Sequence, residues 1–371
     1  MRQRSSPVPV VFLMTALDFG GTERQTLELV SRLDRARFQP RIVTLCGGAM
    51  PLLPKAQSLG VDCLCLTKNS RPEHDFRDLC TLPALWRFLY EERPPLLHLL
   101  CALPNIYGRI MAQILRLPGI MATCRGVREI TTRKERFFKN LAHIHICNSA
   151  AIQGILTRSL HIPEKRVFYI PNGVDTDFFS PPASPSPSPS PIVLCIARMD
   201  TKVKNHALLL RAFVPVLAQA PNAELHLVGE GNLKPSLQQE AADLGIQSRV
   251  IFHGGAEDVR PFLHSAQVFA LASDYEGMPN AALEAMACGL PVVCTRFDGS
   301  EEVVRHEKTG LLVPRGDAEA LAEALLRLLK RPDERAAFGR AGREWTLGVF
   351  SLRHMVEGHE RAYEYVLNRD S

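Results

Sequence analysis

Residues 275–295 read YEGMPNAALEAMACGLPVVCT and contain a loop, a helical pattern and a strand pattern in close succession. Pro279 suits the start of the helix, because the first helical position leaves its N–H unpaired in any case. The run LPVVC is short and apolar, as buried strands are. A similar run, AQVFALA, precedes the loop, so the segment predicts a strand–helix–strand unit.

The same alternation extends in both directions along the chain and predicts an α/β fold of parallel sheets flanked by helices. Because 371 residues exceed what one core usually supports, we expect two Rossmann-like, doubly wound domains that face each other across a cleft. The predicted strands are 9–17, 40–46, 61–66, 95–101, 119–124, 143–147 and 166–170, then 191–197, 223–229, 249–254, 266–272, 290–294 and 309–314.

A Pro/Ser segment separates the two predicted domains. Residues 180–191 read SPPASPSPSPSP, which favours neither helix nor sheet, so we expect an extended connector. The N-terminal domain then covers 1–179 and the C-terminal domain covers 192–349. The last segment, 350–371, is helical by period, and in two-domain folds of this kind such a helix commonly packs back onto the N-terminal domain.

The composition fits a soluble globular protein, with 46% hydrophobic and 22% charged residues. The ten cysteines are scattered through apolar runs without zinc-site spacing, so we expect reduced, buried thiols and a cytoplasmic location. No stretch approaches the ~18 uninterrupted apolar residues of a membrane span. The start, 1–17, also has features of a signal peptide, but it continues directly into a loop and a helix.

Charge is divided unevenly along the chain. Residues 1–180 carry 24 Lys and Arg against 15 Asp and Glu, a net charge of +9, whereas the remainder carries −4. This asymmetry predicts an anionic partner for the N-terminal half.

The segment 125–141 combines basic and aromatic residues. It predicts a helix that rests on an anionic membrane surface, which would make the protein peripheral on the cytoplasmic membrane face. The alternative is an ordinary domain helix with its phenylalanines in the core. The basic residues are Arg125, Arg128, Arg133, Lys134, Arg136 and Lys139, against Glu129 and Glu135, and the apolar ones are Phe137, Phe138 and Leu141.

The first segment contains two glutamates with seven residues between them. Glu276 falls in the loop ahead of the helix and Glu284 in its second turn. The backbone amides around Asn280 to Ala282 form a natural cradle for a diphosphate. Glu284 lies in an apolar stretch and needs hydrogen-bond donors, which ribose hydroxyls would supply. The alternative is a glutamate on a solvated helix face.

Two basic residues follow the first strand of the second half. Arg198 stands at the carboxyl end of that strand, where open α/β sheets bind ligands. Lys204 stands at the start of the next helix, and Lys202 is the alternative to it.

The segment EGMPNAALEAMACGLPVV resembles the E-x7-E signature of the retaining glycosyltransferases of family 4, which have the GT-B fold. The resemblance implies that Glu276 contacts the transferred sugar, that Glu284 holds the ribose, and that Arg198 and Lys204 bind the donor pyrophosphate. Two cations suit this role, because the nucleoside diphosphate gains negative charge as it leaves. Further implied donor contacts are Gly20, Gly21, His253, Gly254, Glu257, Gly277, Met278, Pro279, Asn280 and Ala281.

The Gly20-Gly21 loop follows the first strand of the chain. Glycines let the backbone approach a bound group closely, and relatives place such a loop against the donor phosphates. An ordinary strand-to-helix turn would look the same. Thr22 and Gln25 predict a capping box at the start of the following helix.

The acceptor side is less defined. Many relatives have a sugar-contacting histidine after the fifth strand, whereas this chain has Arg125 and Arg128 there. Either arginine is a candidate for sugar or acceptor binding. His98 is another candidate, with a buried, satisfied core histidine as the alternative.

Two further motifs carry no predicted function of their own. Asp175 and Asp177 form a D-x-D, but they lie in a segment that resembles the interdomain hinge of the family, so we expect no metal ligands there. The glycines of LVGEG, Gly229 and Gly231, lack the third glycine of a dinucleotide fingerprint and predict a loop beside the donor site.

The resemblance implies a retaining hexosyltransferase that needs no metal or other cofactor. Its partners would be a nucleotide-sugar donor and a glycan or lipid-linked acceptor, with no nucleic acid. We expect front-face attack by the acceptor hydroxyl, with the enzyme supplying position and electrostatic stabilisation. The alternatives are a GT-B epimerase or phosphorylase, or an inactive sugar-nucleotide-binding module.

Overall fold

The computed structural model describes residues 6–18, 20–47, 50–67, 81–183 and 190–369. The chain divides into two compact units. The first contains Met1–Gly173 together with Leu352–Ser371, and the second contains Val174–Ser351.

The first unit contains one parallel sheet. Its strands are β1 (Val8–Met14), β2 (Phe38–Thr44), β3 (Asp62–Cys65), β4 (Leu96–Leu99), β5 (Ile120–Cys124), β6 (Ile144–Cys147) and β7 (Val167–Tyr169). Their order in the sheet is β3-β2-β1-β4-β5-β6-β7. The helices are α1 (Gly21–Arg32), α2 (Leu53–Ser58), α3 (Thr81–Glu92), α4 (Arg109–Ile114), α5 (Val127–Ile130), α6 (Arg133–Phe138) and α7 (Ala150–Gly154).

Both faces of this sheet are buried, which explains why its strands are nearly continuous apolar runs. Successive residues of β1 point to opposite faces. Phe12 packs with Leu29 of α1 on one face, whereas Leu13 packs with Leu85 and Leu89 of α3 on the other.

The second unit also contains one parallel sheet. Its strands are β8 (Ile192–Ile196), β9 (Glu224–Val228), β10 (Val250–Gly254), β11 (Val268–Leu271), β12 (Val292–Thr295) and β13 (Gly310–Val313), in the order β10-β9-β8-β11-β12-β13. Helices α8, α9 and α13 cover one face, and α10 and α11 cover the other. The helices are α8 (His206–Gln219), α9 (Lys234–Asp243), α10 (Arg260–Ser265), α11 (Asn280–Ala287), α12 (Ser300–Val303), α13 (Ala318–Lys330) and α14 (Pro332–Val349).

The last helix, α15 (Leu352–Leu367), packs in the core of the first unit. Tyr363 is fully buried there, with its ring 5.5 Å from the ring of Phe38. At the surface, Arg37 pairs with Glu360 at 2.7 Å and with Glu364.

The predicted fold class is confirmed, and each of the thirteen predicted strands is present. The predicted boundaries at 179 and 349 differ from the observed ones. The N–H of Val174 donates to the carbonyl of Phe350 at 2.8 Å, and Val174 packs with the core of the second unit. The crossing points therefore lie at Gly173 and at Ser351, and positions 184–189 of the predicted connector lie outside the described residues.

The predicted capping box at Thr22 and Gln25 is wrong. The N-cap of α1 is Gly20, and no side chain caps it. Gln25 is buried, and its amide donates to the Gly173 carbonyl at 2.8 Å and accepts from the Gly173 N–H at 3.0 Å. The buried N–H and carbonyl of Gly173 both need hydrogen-bond partners, and the Gln25 side chain supplies them instead of capping the helix.

Candidate active site

The second sheet reverses its strand order between β8 and β11. From β8 the chain continues outward to β9 and β10, and it then returns to β11, which pairs with the other edge of β8. Open α/β sheets bind ligands beyond the carboxyl ends of the strands at such a point. The loops that carry Lys204 and Glu276 both begin there.

Lys204 and Glu276 form an ion pair at this point. The Nζ of Lys204 lies 2.8 Å from Oε2 of Glu276, and the two side chains are 25% and 13% exposed. The other carboxylate oxygen accepts a hydrogen bond of 2.7 Å from the hydroxyl of Ser273, which is fully buried. The hydroxyl of Thr295 donates to the Ser273 carbonyl at 2.6 Å. Both oxygens of Glu276 are therefore oriented by donors.

The structure distinguishes Lys204 from its alternative. Both lysines belong to a 3₁₀ turn, Lys202–Lys204, but Lys202 is exposed whereas Lys204 reaches Glu276. Sequence reasoning missed Ser273, although its position three residues before Glu276 in the same loop is a usable signal.

Arg198 lies in the loop after β8 and pairs with Asp200 at 3.2 Å, with 63% of its side chain exposed. The LVGEG loop after β9 packs closely on this segment. A Cβ on Gly229 would lie 2.1 Å from the Ala197 carbonyl oxygen, and one on Gly231 would lie 2.1 Å from the Met199 carbonyl carbon. These two glycines therefore permit the close packing that shapes the backbone around Arg198.

Helix α11 begins at Asn280, and Pro279 is its N-cap. The prediction placed Pro279 at the first helical position, so the helix begins one residue later than predicted. The Pro279 carbonyl accepts from the N–H of Ala282 at 3.1 Å. The amide of Ala282, part of the cradle predicted for a diphosphate, is therefore occupied within the helix.

Glu284 lies in the second turn of α11, as predicted, and is half-buried between the buried residues Leu283 and Ala285. Gly277 is half-buried in the preceding loop. The side chain of Met278 packs in the core, so any ligand contact falls to its backbone.

Burial keeps several groups near Lys204 uncharged. Burial lowers the pKa of His206 to about 4, and the positive charge of Lys204 lowers it further. A hydrogen bond with the backbone of Ala197 opposes the shift in part. Burial also raises the pKa of the Cys195 thiol to about 12. Neutral His206, which sequence reasoning did not single out, leaves Lys204 and Glu276 as the charged pair here.

His253 and Gly254 lie at the end of the edge strand β10. His253 is exposed, and its Nε2 is 3.1 Å from Nδ1 of His226, with the Phe262 ring 4.7 Å away. Burial among these rings lowers its pKa, and His226 adds to the effect. The carbonyl of Gly254 accepts from the Gly229 N–H at 2.7 Å, which ties together the loops after β9 and β10.

The glycine loop of the first unit follows β1, between β2 and β4, where the order of that sheet reverses. Gly20 is extended, and Gly21 is the first residue of α1. The Glu23 carboxylate lies against the loop. A Cβ on Gly20 would be only 2.0 Å from its Oε2. A carboxylate is favoured there by the helix dipole.

His98 is 1% exposed, which contradicts an acceptor-binding role. Its Nδ1 lies 3.0 Å from the Tyr363 hydroxyl and its Nε2 lies 2.5 Å from the Thr123 hydroxyl. Burial lowers its pKa well below the usual value, helped by His359 and Arg125. His98 is the satisfied core histidine of the alternative interpretation.

Arg125 is half-buried at the carboxyl end of β5 and donates to the Asn172 side-chain oxygen at 3.4 Å. The amide of Asn148 donates to the same oxygen at 3.3 Å. The side chain of Arg128 lies outside the described residues.

Asp175 has a structural role in its turn, where its Oδ1 accepts from the N–H groups of Asp177 at 3.2 Å and Phe178 at 3.0 Å. Within the described ranges, one group with metal-ligand geometry was found. Its atoms belong to Cys124, Glu135 and His145 and lie within 4.8 Å of one another. The guanidinium of Arg109 contacts both oxygens of Glu135, at 2.8 Å and 2.5 Å, and its charge opposes a cation there.

The basic segment 125–141 is not the single helix that was predicted, because it contains α5, α6 and a 3₁₀ turn at Lys139–Leu141. The faces of α6 differ. Glu135 is buried, whereas Phe137 is 79% exposed beside the exposed Arg133 and Arg136. The Nζ of Lys139 donates to the Leu160 carbonyl and is therefore used within the unit. The side chain of Lys134 is not among those described.

Two family models match the chain. The model described as Glycosyltransferase Family 4 matches residues 19–178, and the model described as Glycosyl transferases group 1 matches residues 190–331. The chain belongs to these glycosyltransferases. Glu276 and Glu284 both fall within the second of these matches.

Curated relatives agree with this membership. The chain is 35% identical over 208 residues to a GDP-mannose-dependent α-(1-6)-phosphatidylinositol monomannoside mannosyltransferase of Mycolicibacterium smegmatis, covering 52% of this chain and 54% of that protein. It is 24% identical to a UDP-Gal:α-D-GlcNAc-diphosphoundecaprenol α-1,3-galactosyltransferase of Escherichia coli, over 88% of this chain and 89% of the other. The match spans about half the length of the first relative.

Solved structures share the fold. Anabaena HepE, determined in complex with UDP and glucose, aligns with a TM-score of 0.82 at 19% identity over 96% of this chain and 99% of its own. A glycosyltransferase from Rickettsia africae aligns with a TM-score of 0.83 at 21% identity over 98% of this chain and 99% of its own.

Proposed function

We propose that this protein transfers a sugar from a nucleotide-diphosphate sugar to a hydroxyl acceptor, with retention of configuration and without a metal ion. The Lys204–Glu276 pair at the switch point of the second sheet, followed by α11 with Glu284, is the observation that carries this proposal. The product would belong to a cell-surface glycan or glycolipid.

Each charged group has a proposed role. Glu276 binds hydroxyls of the transferred sugar, and Glu284 binds the ribose. Lys204 and Arg198 stabilise the diphosphate as the bond from its oxygen to the anomeric carbon breaks. Gly20 and Gly21 are proposed as a further phosphate contact.

The acceptor hydroxyl attacks from the face that the diphosphate leaves, which retains the configuration at the anomeric carbon. Its oxygen forms the new bond to that carbon, and its proton passes to the departing phosphate oxygen. Support for metal independence comes from Lys204 and Arg198, which supply positive charge near the switch point.

A panel of nucleotides tests the donor assignment. Relatives use GDP-mannose and UDP-galactose, and HepE binds UDP, so UDP, GDP, ADP and their sugars form the panel. The cognate nucleotide should stabilise the protein by about 3 kcal/mol at a hundred times its dissociation constant. Saturable binding without release of nucleoside diphosphate from any donor would favour the inactive binding module instead. No binding to any of them would refute the proposal.

We also propose that the first unit docks on an anionic membrane, where a lipid-linked acceptor would be available. Phe137 is 79% exposed, and the exposed residues Tyr90 of α3 and Ile114 of α4, at 60% and 64%, add apolar surface to the same unit. None of the helices within the described ranges is long and apolar enough to cross a membrane.

Vesicle co-sedimentation tests the docking. The protein should bind vesicles that contain phosphatidylglycerol, and binding should weaken with salt and fall in the variant Arg133→Gln with Arg136→Gln. The control Arg35→Gln with Arg315→Gln removes the same charge at other exposed positions. Equal binding to neutral vesicles, or an equal loss in the control, would exclude this surface.

A further inference from the structure

Two hydrogen bonds join the loop after β8 to the loop after β11, one between backbone groups and one between side chains, and both end on Asp274. The N–H of Asp274 donates to the Val203 carbonyl at 2.8 Å. The Oδ1 of Asp274 accepts from Nδ2 of Asn205 at 3.1 Å. Lys204 stands between Val203 and Asn205, so both of its chain neighbours are fixed to a residue two positions before Glu276.

Asn205 has a conformation that few residue types adopt. Its φ of 45° and ψ of 47° place it in the left-handed region, which favours glycine, asparagine and aspartate. Its Oδ1 accepts from the N–H of Leu208 at 3.2 Å and caps α8. Its Nδ2 remains for Asp274, so one amide group serves the helix and the neighbouring loop at the same time.

Other residue types at position 205 would supply only some of the three features that Asn205 provides, which are the left-handed conformation, the cap acceptor and the donor to Asp274. Glycine adopts the conformation but has no side chain to reach Asp274 or the cap. Aspartate adopts it and caps the helix, but it would place a second carboxylate against Asp274 where a donor is needed. Asparagine provides the backbone conformation, the acceptor and the donor together.

We propose that Asn205 and Asp274 are positioning residues of the donor site, which hold Lys204 against Glu276. Lysine has a long flexible side chain, and a fixed backbone on both sides of Lys204 limits the positions that its Nζ can reach. The proposal rests on the proposed function, because the geometry that it protects is that of the diphosphate and sugar contacts.

Reciprocal substitution tests the link. Asn205→Asp keeps the helix cap and the conformation but removes the donor and sets two carboxylates against each other. Asp274→Asn removes the negative charge but keeps an oxygen that accepts from Nδ2 of Asn205. Asn205→Asp alone should lower kcat for release of nucleoside diphosphate about 10- to 100-fold, because a displacement of about 1 Å can cost that much. Asp274→Asn alone keeps the hydrogen bond and should keep kcat within about threefold of wild type. The double variant exchanges donor and acceptor, restores the link and should recover kcat to within about threefold of wild type.

The readouts separate positioning from folding. The control Asp317→Ala removes the N-cap of α13, whose Oδ1 accepts from the Ala320 N–H at 2.9 Å, and should lower the melting temperature without lowering kcat. Activity is followed with UDP-glucose, UDP-galactose and GDP-mannose, and binding is followed by calorimetry with UDP and GDP.

Three results have distinct meanings. If wild-type protein releases nucleotide from none of these donors and binds neither UDP nor GDP, the proposed function fails. If wild type is active and Asn205→Asp alone keeps kcat within twofold, the positioning role is refuted. If the double variant is no better than Asn205→Asp alone, the Asn205–Asp274 bond is not what positions Lys204.

Discussion

Acid should unfold the first unit before the second, because its buried histidines stay neutral in the folded state. Burial lowers the pKa of His145 and His359 to about 4 and that of His98 well below its usual value. In the described part of the second unit, burial lowers the pKa of His206 to about 4, and the pKa of the exposed His253 is also lowered.

The direction follows from the order of the pKa values. An unfolded histidine has a pKa near 6.5, so the unfolded state takes up protons first as the pH falls. The stability is complete above about pH 6.5 and is lost as the pH falls toward about 4. Each histidine changes the free energy of unfolding by roughly 1.4 kcal/mol per pH unit in that window, so the three in the first unit give about 4 kcal/mol per pH unit.

The two tryptophans report on the two units separately. Trp86 lies in the first unit and Trp345 in the second, so Trp345→Phe and Trp86→Phe leave one reporter each. Urea unfolding at pH 7.5, 6.5 and 5.5 should show a much steeper loss for the Trp86 signal. Adding His359→Gln should reduce that pH dependence by about one third. Equal pH dependence for both reporters, or an unchanged slope with His359→Gln, would refute the reasoning.

Three further predictions concern the site and the core. Glu284→Ala should weaken binding of the cognate nucleotide about tenfold or more through lost charged hydrogen bonds, whereas Glu276→Ala should mainly lower kcat; wild-type kinetics in both would contradict the site. EDTA should leave activity intact, and a strict dependence that manganese or magnesium restores would overturn metal independence. Glu135→Ala leaves Arg109 buried without its carboxylate and should cost about 3–5 kcal/mol in urea unfolding, most of which Arg109→Met with Glu135→Leu should recover.

The strands were predictable because both sheets are covered on two faces. A strand buried on both sides must be apolar at every position, and such runs are visible without knowledge of their partners. The family resemblance singled out the loop residues Glu276 and Lys204. Their direct contact was not predictable, because it depends on β8 and β11 being neighbours in the sheet.

The failures concern polar side chains whose partners lie far along the chain. The capping box failed because Gln25 binds Gly173, which is 148 residues away. The role of His98 stayed open between an acceptor contact and a core histidine, because its partner Tyr363 is 265 residues away on the last helix. A local sequence pattern contains no information on such distant contacts. The apolar run of a strand, by contrast, indicates by itself that the strand is buried.

Both cations proposed for the diphosphate already have a carboxylate partner in this structure, and the two pairs differ in burial. Arg198 is 63% exposed beside Asp200, so water screens that pair and it contributes little. Lys204 is 25% exposed beside the 13% exposed Glu276, so its attraction is screened less. On the proposed function, a diphosphate can therefore draw Arg198 from Asp200 at little cost, whereas Lys204 is held by Glu276 before the ligand arrives. The site thus combines one adaptable cation with one that is ordered in advance, and an ordered cation requires no reorganisation when the leaving group gains charge.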